Sequence, residues 1–255
     1  MSERFPEAPS RRRGILVLSE HDRAKVLYTP GDATMLADDE IHVLAFPLRP
    51  GGSDHPALQR IASGPLARPG TFLVQSPFDA DLYEELEAAP QEFALAKHFY
   101  FTLLCQLLGA RTVTVEQVQC ETSTTKRTME VGGKRGGVGS ADAKVESDQL
   151  AKLAARLELE HEFEGGPPDV DAAETLLRRT GLAADPTMRG LLEMRSYARN
   201  ALREQRYVID LASETRRSLS VAAKVKLTAV GELSAKVKSI CEEKQTFRLT
   251  VKVRF

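Results

Sequence analysis

From Tyr207 to Phe255 the chain keeps a two-residue rhythm that few folds can accommodate. Odd positions carry Tyr207, Ile209, Leu211, Leu219, Val221, Val225, Leu227, Leu233, Val237, Phe247, Leu249, Val251, Val253 and Phe255, while even positions are mostly Arg, Lys, Ser, Thr, Asp and Glu. Successive strand side chains point to opposite faces, so the pattern predicts half-buried strands with one apolar and one polar face. Val230-Gly231-Glu232 interrupts the rhythm as a turn would. The expected element is a hairpin over 206–255, with arms Arg206–Ala229 and Leu233–Phe255 far longer than the ~5–6 residues typical of strands.

A second long hairpin is expected over 111–164. Its outgoing arm alternates at Val113 and Val115, then shifts phase to Val118 and Cys120, the signature of a β-bulge. A glycine-rich tip, Val131–Ser140, follows. The return arm, Ala143–Phe163, ends with Leu157, Leu159 and Phe163 alternating with four glutamates, although its Glu146–Glu160 stretch also suits a helix. Between the hairpins, Asp169 or Asp171 caps a helix to Arg179 with Gly181 as its stop. Asp185-Pro186 opens another, placing helices over 169–204.

The part before residue 111 reads as short strands (14–75) and a helical region (79–108). Ile15–Ser19, Lys25–Tyr28, Ile41–Phe46 and Phe72–Val74 are strand candidates. Asp79 or Asp81 caps a first helix through Leu86, and Glu92–Leu108 forms a second that Gly109 stops. Apolar residues wrap nearly the whole of Glu92–Leu108, which predicts burial against the sheet. Residues 1–13, ending in Arg11-Arg12-Arg13, read as a disordered basic leader, and 14–255 as a single domain. The expected fold class is α+β: a twisted, largely antiparallel sheet built on two long β-hairpins, with a buried helix and a two-helix insertion between the hairpins.

Composition narrows function mainly by exclusion. The chain is 42% hydrophobic and 28% charged with net charge −1, the balance of an ordinary globular protein and no argument for nucleic acid. Cys105, Cys120 and Cys241 form no CxxC pair, and His21, His42, His55, His98 and His161 show no metal-ligand spacing. Gly132–Gly139 lacks the order of a Walker A loop, and there is no Gly-x-Ser-x-Gly elbow. No catalytic residue, cofactor or metal is expected, and the protein is read as not an enzyme. With no signal-like apolar stretch near Met1 and no long apolar window, it is expected to be cytoplasmic.

Two functions fit this pattern. In one, the protein is a non-catalytic β-rich binding or self-assembly module, and the edge strand Phe247–Phe255 needs a cover or a partner subunit. That implies a homo-oligomer or a protein partner. In the other, the layout of two amphipathic hairpins separated by helices over Thr112–Phe255 resembles gasdermin-like and perforin-like pore formers. The resemblance implies a stored soluble form whose hairpins insert into an anionic membrane on activation, because spanning strands need about 9–11 alternating residues. No cysteine stands near Met1 for lipidation of the gasdermin kind. From Arg206 to Phe255 basic residues outnumber acidic ones eleven to five, which suggests a basic sheet face. Membrane- or partner-contact candidates are therefore Lys134 and Arg135 at the glycine tip, Leu219, Val221, Val225, Leu227, Phe247, Val251 and Phe255 on the apolar face, and Lys224, Lys226, Lys236 and Lys238 on the polar face.

Overall fold

A computed structural model describes residues 5–48, 55–121, 126–130, 151–157, 160–197, 202–225, 227–242 and 246–255. The class is α+β with mostly antiparallel sheets, as expected, and the chain divides into two compact units. Unit 1 comprises Met1–Glu92 with Glu214–Lys244, and unit 2 comprises Phe93–Ser213 with Gln245–Phe255.

Unit 1 holds a four-stranded sheet of β1 (Gly14–Ser19), β2 (Ile41–Phe46), β3 (Thr71–Gln75) and β4 (Tyr83–Glu85) in the order β2-β1-β3-β4. β1 pairs parallel with β2 and antiparallel with β3. Ile15 through Leu18 are all buried, as an unbroken apolar run requires of a strand covered on both faces. Ile15, Val17 and Leu73 pack with Ala57 and Ile61 of α2 (Pro56–Ser63). On the other face, a Cβ on Gly14 would lie 2.6 Å from the ring of Phe72 on β3, so glycine leaves that ring its place beside β1.

Three local expectations fail in unit 1. Lys25–Tyr28 is the last part of helix α1 (Glu20–Tyr28), because Ser19 Oγ accepts the Asp22 N–H and starts a helix that outweighs four alternating residues. Asp79 does not cap a helix: its carboxylate accepts the Asp81 N–H in a turn that leads into β4. The arginine run is not a solvated tail either. Arg12 is buried, donating to Ala80 O (2.7 Å), Tyr83 Oη (2.9 Å) and the Asp81 carboxylate (2.7 Å), and Arg13 pairs with Glu40.

Helix α3 (Ala89–Leu107) begins earlier than expected, with Pro90 in its first turn where no N–H partner is needed. Gly109, at φ +81°, ends it as predicted. Unit 2's sheet has the order β6-β5-β9-β8, from β5 (Thr112–Glu121), β6 (Lys126–Glu130), β8 (Glu204–Asp210) and β9 (Thr246–Arg254), with β7 (His161–Glu162) also paired to β5. The expected bulge is present, as a register shift between Val115 and Gln117. Phe101 and Leu104 of α3 are fully buried, and the Phe101 ring meets Tyr207 of β8 at 5.9 Å. α3 therefore lies on the odd-residue face of the C-terminal strands.

The hairpin over 206–255 survives only at its ends. β8 and β9 are antiparallel neighbours with Tyr207 opposite Val251, but α7 (Ser213–Ala222) and α8 (Gly231–Glu242) lie between them. The odd positions Ser213, Thr215, Arg217, Gly231 and Ser239 break the alternation, and Leu233, Val237 and Ile240 recur at the 3.6-residue period of a helix. β9 is also no edge: it runs between β5 and β8. β6 and β8 stand at the ends of that order, and on β8 Thr187 Oγ donates to Val208 O (3.3 Å).

The hairpin over 111–164 is likewise redrawn. β5 turns back through β6, and residues 151–157 form a helix, α4, burying Leu153, Ala154 and Leu157. The glycine tip, 131–140, and residues 143–150 and 158–159 of the return arm lie outside the described residues. α5 (Val170–Arg179) and α6 (Pro186–Ser196) start at the predicted caps, Asp169 accepting from Ala172 N–H and Asp185 from Met188 N–H, each at 2.9 Å. α6 ends at Ser196, short of the expected boundary at 204.

Candidate functional site

The predicted contact residues do not form one surface. Val221, Val225 and Leu227 are buried in unit 1, and Phe247 and Val251 in unit 2; Leu219 is half-buried. Phe255 lies beneath the Arg195 guanidinium, 4.2 Å from ring centroid to Cζ. Lys224 pairs with Glu40 and Lys236 with Glu87, while Lys238 is exposed. Lys134, Arg135 and Lys226 lie outside the described residues.

The basic sheet face is neutralised locally. Arg206 makes two bonds to Glu116 (2.8 and 3.2 Å), Lys252 and Arg254 share Glu204 (2.9 and 2.6 Å), and Arg248 lies 3.9 Å from Glu121. Exposed pairs of this kind add little stability. They do offset part of the charge excess that a count along the chain suggests, three carboxylates facing four cations.

Unit 1 contains an open groove of about 330 Å³ between the β3–β4 end of its sheet and α8. Phe72, Leu86, Leu233, Val237 and Ile240 contribute to its lining, but most of its open surface is polar. Arg68 with Glu85, and Lys236 with Glu87, form ion pairs at its rim. One wall depends on the turn before α8, which is held by a buried carboxylate. Asp32 accepts the N–H groups of Thr228 (3.0 Å) and Ala229 (2.7 Å). Burial would raise the pKa of Asp32, but these two bonds outweigh it and leave it below the usual carboxylate value. The groove lining contains no histidine, serine or cysteine and no free acid–base pair, so it can hold a ligand but offers no nucleophile with a general base.

Unit 2 contains a polar constellation that no sequence motif announces. Lys97 on α3 is 0% exposed, and its ammonium meets Asp185 Oδ2 (2.7 Å), Asp210 O (2.7 Å) and Ser213 Oγ (3.3 Å). Asp185 caps α6 with its other oxygen. One lysine therefore joins α3, the start of α6 and the end of β8. The Lys–Ser contact has the residues of a catalytic dyad but not its chemistry. An ammonium that donates to a carboxylate and a carbonyl has no lone pair with which to take the serine proton.

Further along α3, His98 and Thr102 are buried, as is Tyr207 of β8, whose ring meets Phe101; among the described residues His98 Nε2, Thr102 Oγ and Tyr207 Oη have no hydrogen-bond partner. Burial, aided by neighbouring His161, lowers the His98 pKa from 6.5 to about 4. Above pH 6.5 this ring is neutral in both folded and unfolded chains and costs nothing. Below pH 6.5 the unfolded chain binds a proton that the folded chain refuses, so stability falls as pH falls, by ~1.4 kcal/mol per unit until about pH 4. Urea unfolding of wild type and His98→Phe between pH 7.5 and 4.5 should differ by this slope. Parallel pH profiles would show that His98 is solvated.

Among the described residues no group of three or more His, Cys, Asp or Glu side chains could hold a metal ion, and no helix is long and apolar enough to cross a membrane. Comparison with known proteins finds no matching family model, no similar curated protein and no similar solved structure.

Proposed function

We propose that the protein is a non-catalytic binding module whose groove beside α8 takes a short extended segment of a partner protein. The observation that carries this reading is the groove itself, a mostly polar lining with charged side chains at its rim and the half-buried Ile240 as its aliphatic contact, at the size where ligand sites begin, ~300 Å³. An aliphatic side chain of the partner would pack on Ile240, and its flanking polar groups would meet the two rim ion pairs. Self-assembly through an edge strand at Phe247–Phe255 loses its basis, because β9 already has neighbours on both sides. A membrane-inserting role is the weaker reading, since the side chains it needs on a lipid face are core residues.

The test is selection of a phage-displayed library of linear heptapeptides on the whole protein. Enriched peptides should share an aliphatic position. Synthetic copies should lose at least about tenfold in affinity, ~1.4 kcal/mol, on Ile240→Glu, which charges the half-buried aliphatic contact. Val208→Glu, on an exposed site of β8, should leave binding unchanged. Failure to enrich any sequence, or equal binding to wild type and Ile240→Glu, would contradict the groove as the site.

A further inference from the structure

We infer that the outer face of α3 is an interface for a second copy of this chain, which pairs antiparallel across a two-fold axis at Phe99. From Phe93 to Leu107, the part of α3 within unit 2, the only Lys, Arg, His, Asp or Glu residues are Lys97 and His98, and both are buried. The side of the helix that faces away from the sheet therefore carries no charge over this stretch, where a surface helix ordinarily places its charged residues. Phe99 is 61% exposed there, with the half-buried Leu95 and Leu103 one turn away on either side and the half-buried Ala96 and Leu107 beside them. A lone exposed apolar residue needs no explanation, but a charge-free ridge of three turns marks a contact surface.

Two features fit this ridge to its own copy rather than to an unlike chain. Leu95 and Leu103 stand four residues before and four residues after Phe99. An antiparallel copy therefore sets Leu95 against Leu103 of the copy on both sides of a central Phe99 pair. Side chains four residues apart form the ridge of the commonest helix–helix packing, and a central aromatic is a typical anchor of an interface. Charge is the second feature. In a two-fold contact a charged side chain near the axis would meet its own like, and the ridge has none; the exposed Gln106 at one end is neutral. The whole chain, at net charge −1, adds almost no repulsion between copies. Leu95 and Leu103 lie about 12 Å apart along the helix, so the contact is small and the dimer weak, with Kd about 10–100 µM. This pairing does not depend on the groove of unit 1.

The test is sedimentation velocity of the whole protein in reducing buffer, from about 2 to 300 µM. Wild type should pass from monomer towards dimer across this range. Phe99→Asp should stay monomeric throughout with an unchanged circular dichroism spectrum, because the site is exposed in the monomer. Val208→Asp places the same charge on a β8 residue that is 60% exposed, and should leave the dimer affinity within about twofold. Charge pairing reads the orientation. Leu95→Glu and Leu103→Lys should each weaken the dimer at least about fivefold, and the double variant should recover most of that loss, because the antiparallel copy brings the opposite charges face to face. No recovery in a folded double variant would overturn the antiparallel register. If the half-buried leucine variants fail to fold, Phe99→Asp still decides the matter. A wild type that is monomeric at ~300 µM, or a dimer that Phe99→Asp leaves within about twofold, would overturn the pairing and leave the ridge to an unlike partner.

Discussion

Lys97→Ala should destabilise the protein by about 3–5 kcal/mol, a large share of the ~5–15 kcal/mol that a folded domain has in total. The cost comes less from the lost attraction than from what remains. The Asp185 carboxylate, 7% exposed, would stay charged in the interior without its partner, and Asp210 O would lose a donor. Replacing both groups should recover most of the loss. Lys97→Met fills the same volume without charge, and Asp185→Asn keeps an oxygen to cap α6, so the double variant leaves no unpaired ion. Urea unfolding of the two single variants and the double gives the comparison. A Lys97→Ala cost below about 1 kcal/mol would mean that the ammonium is not sealed among α3, α6 and β8.

Leu104→Asp should abolish soluble folded protein. Leu104 is 0% exposed on the face of α3 that meets the sheet of unit 2. Removing a buried leucine side chain costs about 2–5 kcal/mol, and a carboxylate with no partner adds several more. Together these reach the stability of the whole. Phe99→Asp is the matched control, because Phe99 on the same helix is 61% exposed and a charge there should change stability by no more than ~0.5 kcal/mol. Soluble yield and circular dichroism distinguish the two. Near-normal behaviour of Leu104→Asp would make α3 peripheral.

Elements with a local physical signal were legible in the sequence. The apolar runs Ile15–Ser19 and Ile41–Phe46 are β1 and β2, the Asp169 and Asp185 caps start α5 and α6, and Gly109 ends α3. The slip at Val115–Gln117 is a bulge. What failed had two causes. In residues 213–242 many small or aliphatic side chains satisfy periods of 2 and 3.6 at once, and packing against the sheet of unit 1 selects the helix. Elsewhere the decisive partner is remote: Lys97 meets Asp185, Arg206 meets Glu116, and Asp32 holds the turn at Thr228–Ala229. No spacing rule links such residues. The run of basic side chains near the end of the chain was similarly misleading, because a count of charges does not reveal which acids lie across the strands.

The groove was not legible for the same reason. Arg68 and Glu85 come from the first part of the chain, Lys236 and Ile240 from the last, and only the return of α8 to unit 1 brings them together. That return also bears on the membrane alternative. Recasting the segment between β8 and β9 as spanning strands would take Val221, Val225, Leu227, Leu233 and Val237 out of a packed core and require α7 and α8 to unfold. A binding role needs no such rearrangement.

Dye release from liposomes tests the choice between these roles most directly. Full-length protein is added to vesicles rich in anionic lipid at low salt, both untreated and after limited proteolysis, and leakage is followed. The binding-module account predicts sealed vesicles in every condition. Leakage that requires anionic lipid, declines with added salt and disappears in a folded Val225→Glu variant would contradict it, and would place the segment between β8 and β9 in the bilayer.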